Sequence, residues 1–136
     1  MDIKIVDEYP SAEDYNYLRA QVGWGQVHLD RAKTSLLNSL YSVSAYHNDG
    51  LIGMGRIIGD KGLYYYIQDV IVLPEYQGHG IGRKIMHRLM KFIHQDAGAN
   101  SIIALMSASG KEEFYELFGF IKRPNDQLGC GMSICI

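Results

Sequence analysis

Residues Tyr64 to Gly82 read YYYIQDVIVLPEYQGHGIG. The stretch opens as an apolar run, meets Pro74, and then carries three glycines in five residues, Gly78, Gly80 and Gly82. Apolar residues at Ile81, Ile85, Met86, Leu89, Met90, Phe92 and Ile93 follow at helical spacing, with Arg83, Lys84, His87, Arg88, Lys91 and Gln95 on the other side. The pattern predicts a buried strand over Tyr64 to Leu73, a tight turn, and a helix over Ile81 to His94. Such a turn exposes unpaired N–H groups at the positive end of a helix dipole, and glycines there remove the Cβ atoms that would hold an anion away.

Outward from this stretch, the chain of 136 residues suits one domain, and a hydrophobic fraction of 47% can supply a sizeable core. The formal net charge of -2 argues against nucleic acid as a partner. No apolar run approaches the roughly 20 residues that cross a membrane, and MDIKIVDEY lacks a secretory apolar region. A cytoplasmic protein with no membrane partner is expected. Cys130 and Cys135 read as small apolar residues, and the five histidines show no metal-ligand spacing with acidic partners, so no metal is expected.

Upstream, Ile3, Ile5 and Val6 suggest a first strand, and Ser11 with Asp14 suggests a helix start. His28 to Leu40 suggests a second helix, with Leu29, Ala32, Leu36, Leu37 and Leu40 on one side. Trp24, between Gly23 and Gly25, reads as a plug under a loop or as a pocket wall. Tyr41 to His47, an Asn48-Asp49-Gly50 turn and Leu51 to Ile58 form a hairpin. Gly53 and Gly55 share one face, where something approaches closely. Downstream, Ser101 to Met106 reads as a strand, Ser109 to Glu112 as a capping box for a helix over Lys111 to Phe118, and Met132, Ile134 and Ile136 as a last strand. The expected class is α+β: N-terminal helices, a three-strand antiparallel meander and a right-handed βαβ unit.

The turn lacks the Lys-Ser/Thr of a Walker loop, and Arg83 stands where a dinucleotide fingerprint needs its last glycine. LPEYQGHGIGRKIMHRLMKF instead resembles the acyl-coenzyme A motif of the GCN5-related N-acetyltransferase (GNAT) superfamily. EFYELFGF, Glu113 to Phe120, resembles the same superfamily's later tyrosine-bearing helix. The resemblance implies a GNAT-like mixed sheet and acetyl-CoA as co-substrate. Backbone from Gln77 through Gly78, His79, Gly80, Ile81 and Gly82 would hold the pyrophosphate, with the His79 and Arg83 side chains secondary. Val70, Ile71 and Val72 would lie along the pantetheine. Tyr115 would protonate the departing thiolate, or else simply pack beside Phe114 and Phe118.

Family members often carry a glutamate or histidine base where Tyr66 and Gln68 stand here. Gln68 accepts a hydrogen bond but is no base near neutral pH, and Tyr66 can relay a proton through water. Asp69 faces away from Tyr66, Gln68 and Val70 by strict alternation, unless a bulge re-aims it. A buried carboxylate there needs a partner, expected to be a backbone group or a hydroxyl. The reading is thus an N-acetyltransferase acting on a primary amine, a small molecule in preference to a protein. The alternatives are an acyl-CoA-binding sensor or a homodimeric interaction protein. A homodimer would seal the C-terminal strand edge.

Overall fold

The computed structural model describes all 136 residues. The elements are β1 (Lys4–Val6), α1 (Ala12–Gln21), α2 (Leu29–Leu37), β2 (Tyr41–His47), β3 (Gly50–Gly59), β4 (Tyr64–Val72), a 3-10 turn (Pro74–Tyr76), α3 (Ile81–Asp96), β5 (Ile102–Leu105) and α4 (Glu112–Glu116). The five strands form one sheet in the order β1-β2-β3-β4-β5, and the first four pair antiparallel in sequence. At the start of β5, the Ile102 N–H donates to the Leu63 carbonyl and the Ser101 hydroxyl to that of Gly62. The beginnings of β4 and β5 are therefore side by side, which makes the β4-α3-β5 connection a parallel crossover. This is the expected α+β class.

The chain divides into two compact units, Met1–Ile103 and Ala104–Ile136. In the first, α3 packs on β2, β3 and β4, while α1 meets α2, β3 and β4. Gly53 and Gly55 decide which face α3 takes. A Cβ on Gly55 would stand 2.8 Å from Ile85 Cγ2 and 2.9 Å from Leu89 Cδ1, and one on Gly53 would stand 2.9 Å from the Ile71 carbonyl. The two glycines thus let α3 lie close on the sheet. Arg56, their neighbour, points the other way, to the Ser35 carbonyl on α2. Helices consequently cover both faces. Ile81, Ile85, Met86, Leu89 and Ile93 are buried on one side, and Tyr15, Leu18, Ala32 and Leu36 on the other.

Local signals account for most boundaries. The Ser11 hydroxyl accepts the Asp14 N–H at 3.1 Å and starts α1. Asn48 and Asp49 take positive φ values of 50° and 64°, as a two-residue hairpin turn of this hand requires. At the next turn Asp60 Oδ1 accepts the N–H groups of Gly62, Leu63 and Tyr64. These bonds, that from Tyr64 foremost, hold its carboxyl below the usual range.

Other boundaries differ from expectation. α2 stops at Leu37 because the Leu40 N–H is already committed to the Ile57 carbonyl across the sheet, at 2.8 Å. Leu37, the last residue of α2, is 68% exposed instead of buried, the buried side being that of Ala32 and Leu36. Trp24 is no buried plug: its ring is exposed, with the Arg19 guanidinium 5.9 Å from its centroid.

In the second unit, α4 spans only Glu112–Glu116 and Ser109 does not cap it. The Glu112 carboxylate reaches back to the Gly110 N–H at 2.8 Å. No strand forms over residues 132–136, where Met132 and Ile134 are 88% and 89% exposed. Alternation specifies a face for a strand but not a partner strand to bond with. Residues 132–136 pair with none of the five strands.

Candidate active site

β4 does not keep strict alternation. Met54 pairs with Ile71 and Arg56 with Gln68, so one residue of β3 stands opposite two of β4. The extra residue lies at Asp69–Val70, and Asp69 takes a left-handed φ of 57°. Before the bulge, Tyr65 faces α3, its hydroxyl donating to Asp96 at 2.7 Å. Tyr66 and Gln68 therefore face α1 and α2. After the bulge, Val70 and Val72 lie on the α3 side, against the glycines of β3. Asp69 thus shares a face with Gln68 instead of opposing it, which corrects the expectation from alternation.

The re-aimed carboxylate is 3% exposed and fully partnered. Its Oδ2 accepts the Tyr15 hydroxyl at 2.7 Å and Arg56 Nε at 2.8 Å. Its Oδ1 accepts Gln68 Nε2 at 3.0 Å, with Arg19 Nη1 at 4.0 Å. Arg56 is itself buried and also donates to the Ser35 carbonyl and the Ser39 hydroxyl, both at 3.2 Å. Burial, followed by the Asp69 charge, raises the Tyr15 phenol pKa and keeps Tyr15 a donor. The expected hydroxyl partner is present as Tyr15. Arg56 was not singled out from sequence, although one arginine between Gly55 and Ile57 in an apolar strand signals a buried counter-charge.

Tyr15 also lines a cleft of about 380 Å³ with Val27, His28, Arg31, Ala32 and Ser35. The loop that forms one wall is held by Asn16, which both accepts the Val27 N–H at 2.9 Å and donates to its carbonyl at 2.7 Å. The cleft and Gln68 are therefore linked through one carboxylate.

The turn after β4 is tied down at three points. The His47 ring nitrogen Nδ1 lies 2.7 Å from the Tyr76 hydroxyl, His79 Nδ1 lies 3.1 Å from the Tyr76 carbonyl, and Gln77 Nε2 donates to the Val72 carbonyl at 2.9 Å. The Gln77 N–H already donates to Pro74. Gln77 thus fastens the turn, and the open N–H groups begin beyond it.

Gly78 and Gly80 both take left-handed φ, 84° and 79°, and a Cβ on either would meet nothing within 4 Å. Gly80 caps α3, whose first bond runs from Lys84 N–H to the Gly80 carbonyl at 3.1 Å. The N–H groups of Ile81, Gly82 and Arg83 accordingly project from the helix end. This is a cradle that side chains would fill, and it fits a phosphate. The Arg83 side chain is exposed at its rim.

Within the second unit, Tyr115 lies on α4 with its ring edge-on to Phe114, at 5.1 Å, and to Phe120, at 6.4 Å. Burial raises its phenol pKa, so the hydroxyl keeps its proton through neutral pH. No group of three or more His, Cys, Asp or Glu side chains is placed to hold a metal ion. No helix is long and apolar enough to cross a membrane.

Residues 11–134 match the family described as an acetyltransferase (GNAT) domain. The uncharacterized N-acetyltransferase ycf52 of Porphyra purpurea is 35% identical over 112 residues, covering 79% of this chain and 63% of that protein. The histone acetyltransferase TAP1 of Glycine max is 34% identical over 122 residues, covering 82% of this chain and 50% of that one. The chain thus spans about half to two thirds of the length of these curated relatives. Among solved structures, SA2161 of meticillin-resistant Staphylococcus aureus, described as a protein of unknown function and probable acetyltransferase, superposes with a TM-score of 0.92. It is 35% identical and covers 99% of this chain and 100% of that one.

Proposed function

We propose, from the premise that this chain belongs to the GNAT acetyltransferase family, that it moves an acetyl group from acetyl-CoA to a primary amine by direct attack in a ternary complex. The observation that carries the reading is the turn at Gly78 to Gly82. It leaves β4 directly, is capped by a left-handed Gly80, and offers helix-end N–H groups with no Cβ in the way. Those backbone groups would take the pyrophosphate, with His79 and Arg83 beside them, and Val70, Ile71 and Val72 would run along the pantetheine.

The co-substrate supplies an activated acetyl carbonyl. The amine nitrogen bonds to its carbon, the carbon–sulfur bond breaks, and the electron pair leaves on sulfur. Tyr115 would give that sulfur a proton. The amine's own proton would leave through Tyr66 and water to bulk, since Gln68 accepts a hydrogen bond but not a proton at neutral pH. The cleft beside Tyr15 has room for a small acceptor and supports a small-molecule amine over a protein. A cytoplasmic location belongs to the same proposal.

Gly80→Val tests the cradle. A β-branched residue is strained at φ 79° and puts carbon where the phosphate would sit. Calorimetry should show acetyl-CoA affinity falling at least about tenfold, the equivalent of one lost charge-assisted hydrogen bond. Equal affinity would remove the turn from the binding site.

One observation favours a second reading. Gln68 stands where a base is often found and is held by Asp69, which suits a sensor that binds acyl-CoA without turning it over. A homodimer is a further part of the proposal, supported by the exposed apolar side chains of Met132, Ile134 and Ile136 and not by a strand edge, since no strand forms there. A monomer by light scattering at micromolar concentration would remove it.

A further inference from the structure

We propose that Asp69 is a positioning residue that sets the polarity of Gln68, so that the Gln68 carbonyl oxygen, and not its NH2 group, is offered to the acceptor amine. The inference rests on the acetyltransferase reading above and deepens its acceptor end. A carboxylate only accepts hydrogen bonds, and Asp69 Oδ1 lies 3.0 Å from Gln68 Nε2. The amide nitrogen of Gln68 is therefore committed to Asp69. Oε1 is the end that remains, and it suits the N–H of an attacking amine.

The surrounding structure enforces this arrangement. Oδ2 is taken by Arg56 at 2.8 Å and by Tyr15 at 2.7 Å, so the carboxylate cannot turn Oδ1 away from Gln68 without breaking both. Asp69 reaches this position only through the bulge and its left-handed φ of 57°, a conformation that aspartate adopts more readily than most residues with a Cβ.

Asp69→Asn tests the idea with almost no change of shape. Arg56 and Tyr15 both donate, so the carbonyl of the new amide takes the place of Oδ2 and its NH2 group faces Gln68. Gln68 must then turn over, giving its oxygen to that NH2 group and its own NH2 group to the acceptor side. With an amine identified as a substrate by thiol release, KM for that amine should rise roughly tenfold, about one hydrogen bond's worth, while KM for acetyl-CoA stays within about twofold.

Adding Gln68→Glu to Asp69→Asn should restore most of the loss. A carboxylate at position 68 can accept from the introduced amide with one oxygen and present the other. A purely structural role for Asp69 predicts no such rescue. An unchanged amine KM in Asp69→Asn, or a double variant no better than the single one, overturns the proposal.

A second measurement needs no substrate. The side-chain amide protons of Gln68, followed by NMR, should exchange slowly in the wild-type protein and rapidly in Asp69→Asn. Equal exchange in the two proteins would overturn the assigned orientation. If no amine is acetylated while the exchange difference appears, the acetyltransferase reading has failed and the positioning by Asp69 has not.

Discussion

Arg56→Met should destabilise the protein by about 3–5 kcal/mol, the usual cost of stripping one partner from a buried ion pair. Arg56 is 7% exposed and its Nε lies 2.8 Å from Asp69 Oδ2. After the substitution Asp69 keeps Tyr15 and Gln68, which are neutral donors, and Arg19 at 4.0 Å, whose side chain is partly exposed. The carboxylate is then buried without a close counter-charge. The Ser35 carbonyl and the Ser39 hydroxyl also lose a donor.

Urea unfolding should register this as a lower midpoint with an unchanged slope. Combining Arg56→Met with Asp69→Leu should recover part of the loss, because the second change removes the unpaired charge. A loss below about 1 kcal/mol for Arg56→Met would mean that the pair is solvated like a surface ion pair.

Tyr115→Phe should lower turnover about a hundredfold or more, the lower range for removing a positioned acid, with acetyl-CoA affinity unchanged within about twofold. Only the hydroxyl is deleted, and the ring contacts with Phe114 and Phe120 can persist. A packing role would give the opposite pattern, with turnover kept. Steady-state kinetics with calorimetry of acetyl-CoA separates the two. The raised phenol pKa supports the donor role at neutral pH, because burial keeps the proton on oxygen until a stronger base forms nearby.

The parts of the fold carried by local chemistry were legible in the chain. Proline, glycine spacing and a helical period located the turn at Gly78 to Gly82 and the helix after it. Ser11, Asn48 and Asp49 marked their own turns through capping and left-handed backbone. Gly53 and Gly55 announced a close approach, and α3 makes it.

What escaped depends on partners distant in sequence. The bulge at Asp69 adds one residue to a strand without interrupting its apolar pattern, so counting by twos put the carboxylate on the wrong face. Its counter-charge, Arg56, lies 13 residues away on the neighbouring strand, and Tyr15 lies 54 residues away on α1. The strand expected over Met132 to Ile136 has the right alternation, but residues 132–136 pair with none of the five strands, and alternation alone does not supply a partner. At the candidate site, the backbone cradle could be read from residue types. The cleft beside Tyr15 could not, because it and the carboxylate behind it are assembled from α1, α2 and β4 together.

Delivery of an acetyl group to an amine is the activity proposed for this chain. The direct measurement is release of free thiol from acetyl-CoA across a panel of primary amines, with the mass of each product recorded. Thiol release should depend on the amine and yield a product heavier by one acetyl group. Tight, stoichiometric acetyl-CoA binding with no amine-dependent release across the panel would contradict it and leave a binding protein on the same fold.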